Sequence, residues 1–64
     1  MPVKILLNDI TFHTRVVQIH TDDGLLVFDG EETIAKISVD ILDREVNAYI
    51  TKIEKGIMYL DIYI

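Results

Sequence analysis

Thr33-Ile34-Ala35-Lys36-Ile37-Ser38-Val39-Asp40-Ile41-Leu42 is the stretch on which the reading of this chain turns. Ala35, Ile37, Val39 and Ile41 fall on one side and Lys36, Ser38 and Asp40 on the other, which is the period of two of a half-buried strand. A helix over residues 31–45 is the competing reading. It is disfavoured because Thr33, Ile34, Ile37 and Val39 are β-branched and the apolar spacing fits two better than 3.6. The stretch therefore predicts a strand from Thr33 to Leu42 in a domain with one wet face.

Towards the C-terminus the same rhythm continues. Asp43-Arg44-Glu45 is a short polar connection, Val46, Ala48 and Ile50 alternate with Asn47, Tyr49 and Thr51, and Glu54-Lys55-Gly56 makes a hairpin turn into a last strand from Ile57 to Ile64. Towards the N-terminus, Asp29-Gly30 and Thr21-Asp22-Asp23-Gly24 read as turns around a strand at Leu25–Phe28. A longer strand precedes them from Ile10 to His20. Its apolar residues change parity at Val16-Val17, as a β-bulge there, or a strand crossing from one face to the other, would make them. Val3–Leu7, ended by Asn8-Asp9, completes the count as a first strand. The whole, residues 1–64, reads as a single small β-barrel domain, an all-β antiparallel barrel or roll of about six short strands. Shared parity predicts a core of Ile37, Val39, Ile41, Val46, Ala48, Ile50, Leu60 and Ile62.

With 64 residues, half of them hydrophobic, and no cysteine, the chain has little core and no disulfide to stabilise it. Association with another copy is the remaining source, and apolar surface left over from so small a core gives a partner something to cover. Met58, Leu60, Ile62 and Ile64 share one face of the last strand and Ile57, Tyr59, Asp61 and Tyr63 the other, so both faces are apolar or aromatic. Tyrosine is enriched in interfaces. Tyr49, Ile57, Tyr59 and Tyr63 are accordingly the expected interface residues of a homo-oligomer, with a protein partner as the other expectation.

The formal charge is −5, and Lys4, Arg15, Lys36, Arg44, Lys52 and Lys55 are dispersed. Phosphate backbones are bound by clustered cations, so no nucleic-acid partner is expected. Apolar runs of four residues, Leu25–Phe28 and Ile57–Leu60, are far short of the roughly 20 that a spanning helix needs, and no membrane partner is expected. No basic region followed by an apolar one marks the start for export, so the expected location is cytoplasmic. The acidity admits a reading from another class, a small inhibitor, of the kind phages encode, that mimics nucleic-acid charge.

The residues that could carry chemistry are few. His13 and His20 lie on opposite faces of a regular strand, and even a bulge that united them would need Asp22 or Asp23 as a third zinc ligand. Asp22, Asp23, Asp29, Glu31 and Glu32 lack the Asp-x-Asp-x-Asp-Gly spacing of a calcium loop. Ser38, the single serine, has no base or orienting group in a motif around it. No catalytic residue, no metal ligand and no cofactor is expected, and the chain is read as no enzyme.

From Thr14 onward, Thr14-Arg15-Val16-Val17-Gln18-Ile19-His20-Thr21-Asp22-Asp23-Gly24-Leu25-Leu26-Val27, a Gly30-Glu31 turn, two alternating strands and Ile53-Glu54-Lys55-Gly56-Ile57-Met58-Tyr59-Leu60 resemble the strand rhythm of PilZ domains. That family consists of small β-barrels, many of which bind cyclic di-GMP. The resemblance implies the barrel and not the ligand. The positions aligned with the family's Asp/Asn-x-Ser-x-x-Gly signature are Gln18, His20 and Asp23, with Gly24 one place late, and the Arg-x-x-x-Arg signature has no counterpart.

Overall fold

A computed structural model describes residues 1–10, 15–31 and 37–64, Glu31 by its backbone alone. It contains α1 (Val3–Asp9), β1 (Arg15–His20), β2 (Leu26–Glu31), α2 (Val39–Leu42), β3 (Ala48–Glu54) and β4 (Ile57–Tyr63). The fold is mainly β, built on one four-stranded sheet in the order β2-β1-β4-β3. β1 pairs antiparallel with β2, β3 pairs antiparallel with β4, and the two hairpins join through a parallel β1–β4 pair. β2 and β3 are the two edges, so among the described residues the sheet is open and does not close into the expected barrel.

The first expected strand is a helix. Val3, Leu6 and Leu7 are buried with Ile10 packed beside them, which is the i, i+3, i+4, i+7 stripe of an amphipathic helix. Pro2 stands at the N-cap with an extended backbone. At the other end the Arg15 guanidinium donates to the carbonyls of Leu7 (2.7 Å) and Ile10. Those carbonyls belong to the C-terminal turn and C-cap of α1, so Arg15 joins β1 to the end of the helix. Met1 and Val3 are held against the 44–46 segment: Val3 N–H donates to Arg44 at 3.0 Å and Val46 N–H to Met1 at 2.9 Å.

The expected strand from Thr33 to Leu42 is only partly described. Residues 33–36 lie outside the described residues, and Val39–Leu42 is a single helical turn instead of a strand end. Ser38 caps it, its hydroxyl accepting from Ile41 N–H at 3.4 Å. The turn buries Leu42, half-buries Ile41 and leaves Val39 69% exposed, so Val39 is no core residue. Of the strand expected from Ile10 to His20, residues 11–14 lie outside the described residues and the strand itself begins at Arg15. Its irregularity sits at Ile19/His20, opposite the extra residue Val27, and not at Val16-Val17. Asp29-Gly30 makes no turn: both lie within β2, opposite Gln18 and Val17.

The core is a two-layer contact. Val17 and Ile19 of β1 and Leu60 and Ile62 of β4 are essentially fully buried against Val3, Leu6 and Leu7 of α1, with Ile37, Leu42 and Ile64 at the margin. Ile37, Leu60 and Ile62 are thus buried as expected, while Ile41 and Val46 are partly so. Ala48 and Ile50 are exposed, Ile50 at 60%, because their pairing with Tyr63 and Asp61 puts them on the face of the sheet away from the helices. Truncating Ile19 to Ala should cost about 2 to 5 kcal/mol through lost burial and a residual cavity, whereas Ile50→Ala should change stability by about 0.5 kcal/mol or less, as exposed positions do. Urea unfolding of the two variants checks the ranking, and equal losses would contradict this placement of the core.

Candidate interaction surface

The register sorts every strand residue to one side of the sheet. In β1–β4 the pairs Val17–Leu60 and Ile19–Ile62 lie on the helix side, so Val16–Tyr59, Gln18–Asp61 and His20–Tyr63 lie on the open side. In β3–β4 the pairs Lys52–Tyr59, Ile50–Asp61 and Ala48–Tyr63 continue those open-side rows, while Tyr49–Ile62, Thr51–Leu60 and Ile53–Met58 continue the helix side.

Three of the four expected interface residues therefore share a surface. Ile57, Tyr59 and Tyr63 stand in line on the open face, with Tyr59 the most exposed of them at 39%. Tyr63 is half-buried because the His20 ring stacks on it, centroids 5.0 Å apart and planes 17° from parallel. His20 Nε2 also lies 3.7 Å from Asp61 Oδ1. Tyr49 is on the other side of the sheet. Its partner is Ile62, and since the helices do not reach β3 it remains 46% exposed there.

Reading residue types alone missed Ile50 and Ile53. Each is 60% exposed, one on either side of β3, and every residue of that strand is exposed. Their signal was present in the sequence as Tyr49-Ile50 and Ile53, apolar positions of both parities in one strand. A strand with large apolar groups on both sides and no neighbour on one edge is the arrangement that soluble proteins ordinarily suppress with charge, proline or a cover.

Gln18 donates to Asp29 at 3.3 Å, and Lys52 pairs with Glu54 at 2.8 Å, both on the exposed surface. Among the described residues no three His, Asp or Glu side chains gather where a metal could be held. Among the described carboxylates, Asp22 and Asp23 lie in the β1–β2 turn, Asp40 in α2 with Asp43 at its C-cap, and Asp61 within β4. No helix among the described residues is long and apolar enough to cross a membrane.

At one end of the sheet the β1–β2 turn is tied by its own polar groups. Thr21 N–H donates to Leu25 at 2.9 Å and Gly24 N–H to Thr21 at 3.0 Å. The Thr21 hydroxyl donates to the Asp23 carboxylate, and this bond, helped by the Asp23 and Leu25 amides, holds that carboxyl below its ordinary value. The sign follows from the direction: this contact is fully present at neutral pH and fades as pH falls through the lowered folded value. Thr21→Val should raise the Asp23 titration towards the usual carboxylate range, as followed by carboxyl-carbon NMR. An unmoved titration would show that the hydroxyl is not the cause.

Comparison with protein families, with curated proteins and with solved structures finds no match for this chain.

Proposed function

We propose that this chain is a non-catalytic interaction module that self-associates through the apolar surface of its β3–β4 hairpin. The observation that carries the reading is β3: an edge strand exposed along its whole length, with Tyr49, Ile50 and Ile53 each at least 46% exposed. Tyr59 on the neighbouring strand extends the same surface over the open face. The apolar load explains why the surface exists. Among the described residues, the strand side chains buried in the core are those of the inner rows of β1 and β4, so the exposed apolar residues of β3 meet water unless a partner arrives. Burying each such side chain is worth about 1.5 to 3 kcal/mol at most, enough in combination to offset the entropy lost on association.

Sedimentation equilibrium over a wide concentration range should give a mass that rises from that of one chain to a defined small multiple of it. Ile53→Lys leaves the buried core untouched and should weaken association about tenfold or more, because a charge is then desolvated at the contact. Tyr59→Glu should weaken it as well, with unchanged circular dichroism. A folded 7.4 kDa monomer at every concentration would overturn the proposal.

A further inference from the structure

We infer that the partner of β3 is β3 of a second copy, joined antiparallel about a two-fold axis at Thr51, so that two four-stranded sheets continue as one of eight. The inference rests on the self-association proposed above and adds its geometry. Three observations lead to it: the turn that fixes which main-chain groups are unpaired, the side chains this register brings together, and the distribution of charge along the edge.

Lys55 and Gly56 have φ of 52° and 77°, and they are the only residues between the paired Glu54 and Ile57, which defines a two-residue type I′ hairpin. In such a hairpin the closing residues exchange both main-chain hydrogen bonds, and bonded pairs then recur at every second position. Lys52, Ile50 and Ala48 thus turn their N–H and C=O towards β4. Tyr49, Thr51 and Ile53 turn theirs outward. The far end of the hairpin agrees: the Tyr63 carbonyl accepts from Asn47 N–H at 2.8 Å on the β3 side, whereas Ile64 N–H donates to His20 at 2.8 Å on the β1 side.

A second strand must meet outward-facing groups with outward-facing groups. With the axis at Thr51, Thr51 faces itself and Tyr49 faces Ile53 of the partner subunit, twice by symmetry. The three bonded pairs would contribute about six main-chain hydrogen bonds, two per pair. An aromatic residue opposite a β-branched one is a favourable cross-strand pair. Ile50 then lies opposite Lys52 of the partner subunit, whose stem covers it. Neighbouring registers lose these features: an axis at Lys52 opposes two ammonium groups, one at Ile50 sets Ile53 against a polar Asn47, and one at Ile53 runs the ladder off the turn.

Charge selects a second copy over an arbitrary strand. The chain carries −5 overall, yet residues 48–55 carry Lys52 and Lys55 against Glu54, so along β3 two copies approach with less repulsion than their net charge implies. The same register places the Lys55 turn beside Asn47 of the partner subunit. Within each chain the Asn47 amide donates to Asp22 at 2.9 Å, which brings the acidic β1–β2 turn to that end of the edge. Cationic turn meets acidic turn at both ends. The opposite edge, β2, carries Asp29 and a register shift, and two such edges would oppose like charges.

Two variants test the geometry. Thr51→Pro removes an outward N–H that β4 does not use, so the β3–β4 ladder survives, while dimerisation should weaken about tenfold or more through lost hydrogen bonds and ring contact. Thr51→Cys, in a chain with no other cysteine, should form a disulfide-linked dimer under mild oxidant, because Cα atoms of a bonded antiparallel pair lie about 5.5 Å apart. Glu54→Cys should not. If the wild-type chain dimerises but Thr51→Cys fails to cross-link and Thr51→Pro dimerises unchanged, the self-association reading stands and this geometry falls. A monomeric wild-type chain removes both. Masses that grow without limit would mean β3 pairing head-to-tail with β2 of the next copy, which also overturns the two-fold. Should Thr51→Pro fail to fold, the cross-linking result decides.

Discussion

The burial of Val17, Ile19, Leu60 and Ile62 beneath Val3, Leu6 and Leu7 is the contact on which everything else depends. It requires β1 and β4 to lie side by side, and their parallel pairing is what sets the two apolar rows level. A parallel pair cannot be closed by a tight turn. The chain instead makes two local hairpins and brings them together along their inner strands. Between them in sequence, α2 lies on the helix side and adds Leu42 to the core.

That arrangement explains why the outer strands are unequal to the inner ones. A helix is about 10 Å across, roughly the width of two strands, so α1 covers two strands well and four poorly. β1 and β4 receive the cover. The inner side of β3 does not, and Tyr49 and Ile53 stay exposed even though they stand in the same rows as buried Ile62 and half-buried Met58.

Most of the hairpin chemistry was legible in the sequence and most of the helical chemistry was not. Gly56 and the Asp22-Asp23-Gly24 turn announce themselves because positive φ and local carboxylate bonds demand particular residues. α1 spans seven residues, too short for periodicity to outweigh the β-branched Val3 and Ile5 and the turn-forming Asn8-Asp9, although Val3, Leu6, Leu7 and Ile10 carry the helical stripe. Val39 and Ile41 mimic alternation, and the Ser38 cap that makes them helical is a single weak signal. Residue type alone places Tyr49 with Tyr59 and Tyr63. The β3–β4 register pairs position 49 with position 62, so odd-numbered residues of β3 share a side with even-numbered ones of β4. Parity is readable within a strand, but which rows coincide across strands depends on the turn length.

Sheet edges in proteins this small are ordinarily protected by shortness, proline, a bulge or inward charge. β2 is bent at its register shift and carries Asp29, both of which discourage a further strand. Among the described residues β3 has neither device: it is straight in register over its full length, free of proline, and its one lysine is already engaged with Glu54 on its own strand. The contrast between the two edges of one sheet is informative because both belong to the same marginally stable chain and face the same solvent. An edge left unprotected along its length, beside one that is protected, is accounted for when strand addition stabilises the fold. Main-chain groups already held straight by β4 lose little further entropy on pairing, so each hydrogen bond formed there adds nearly its full net value.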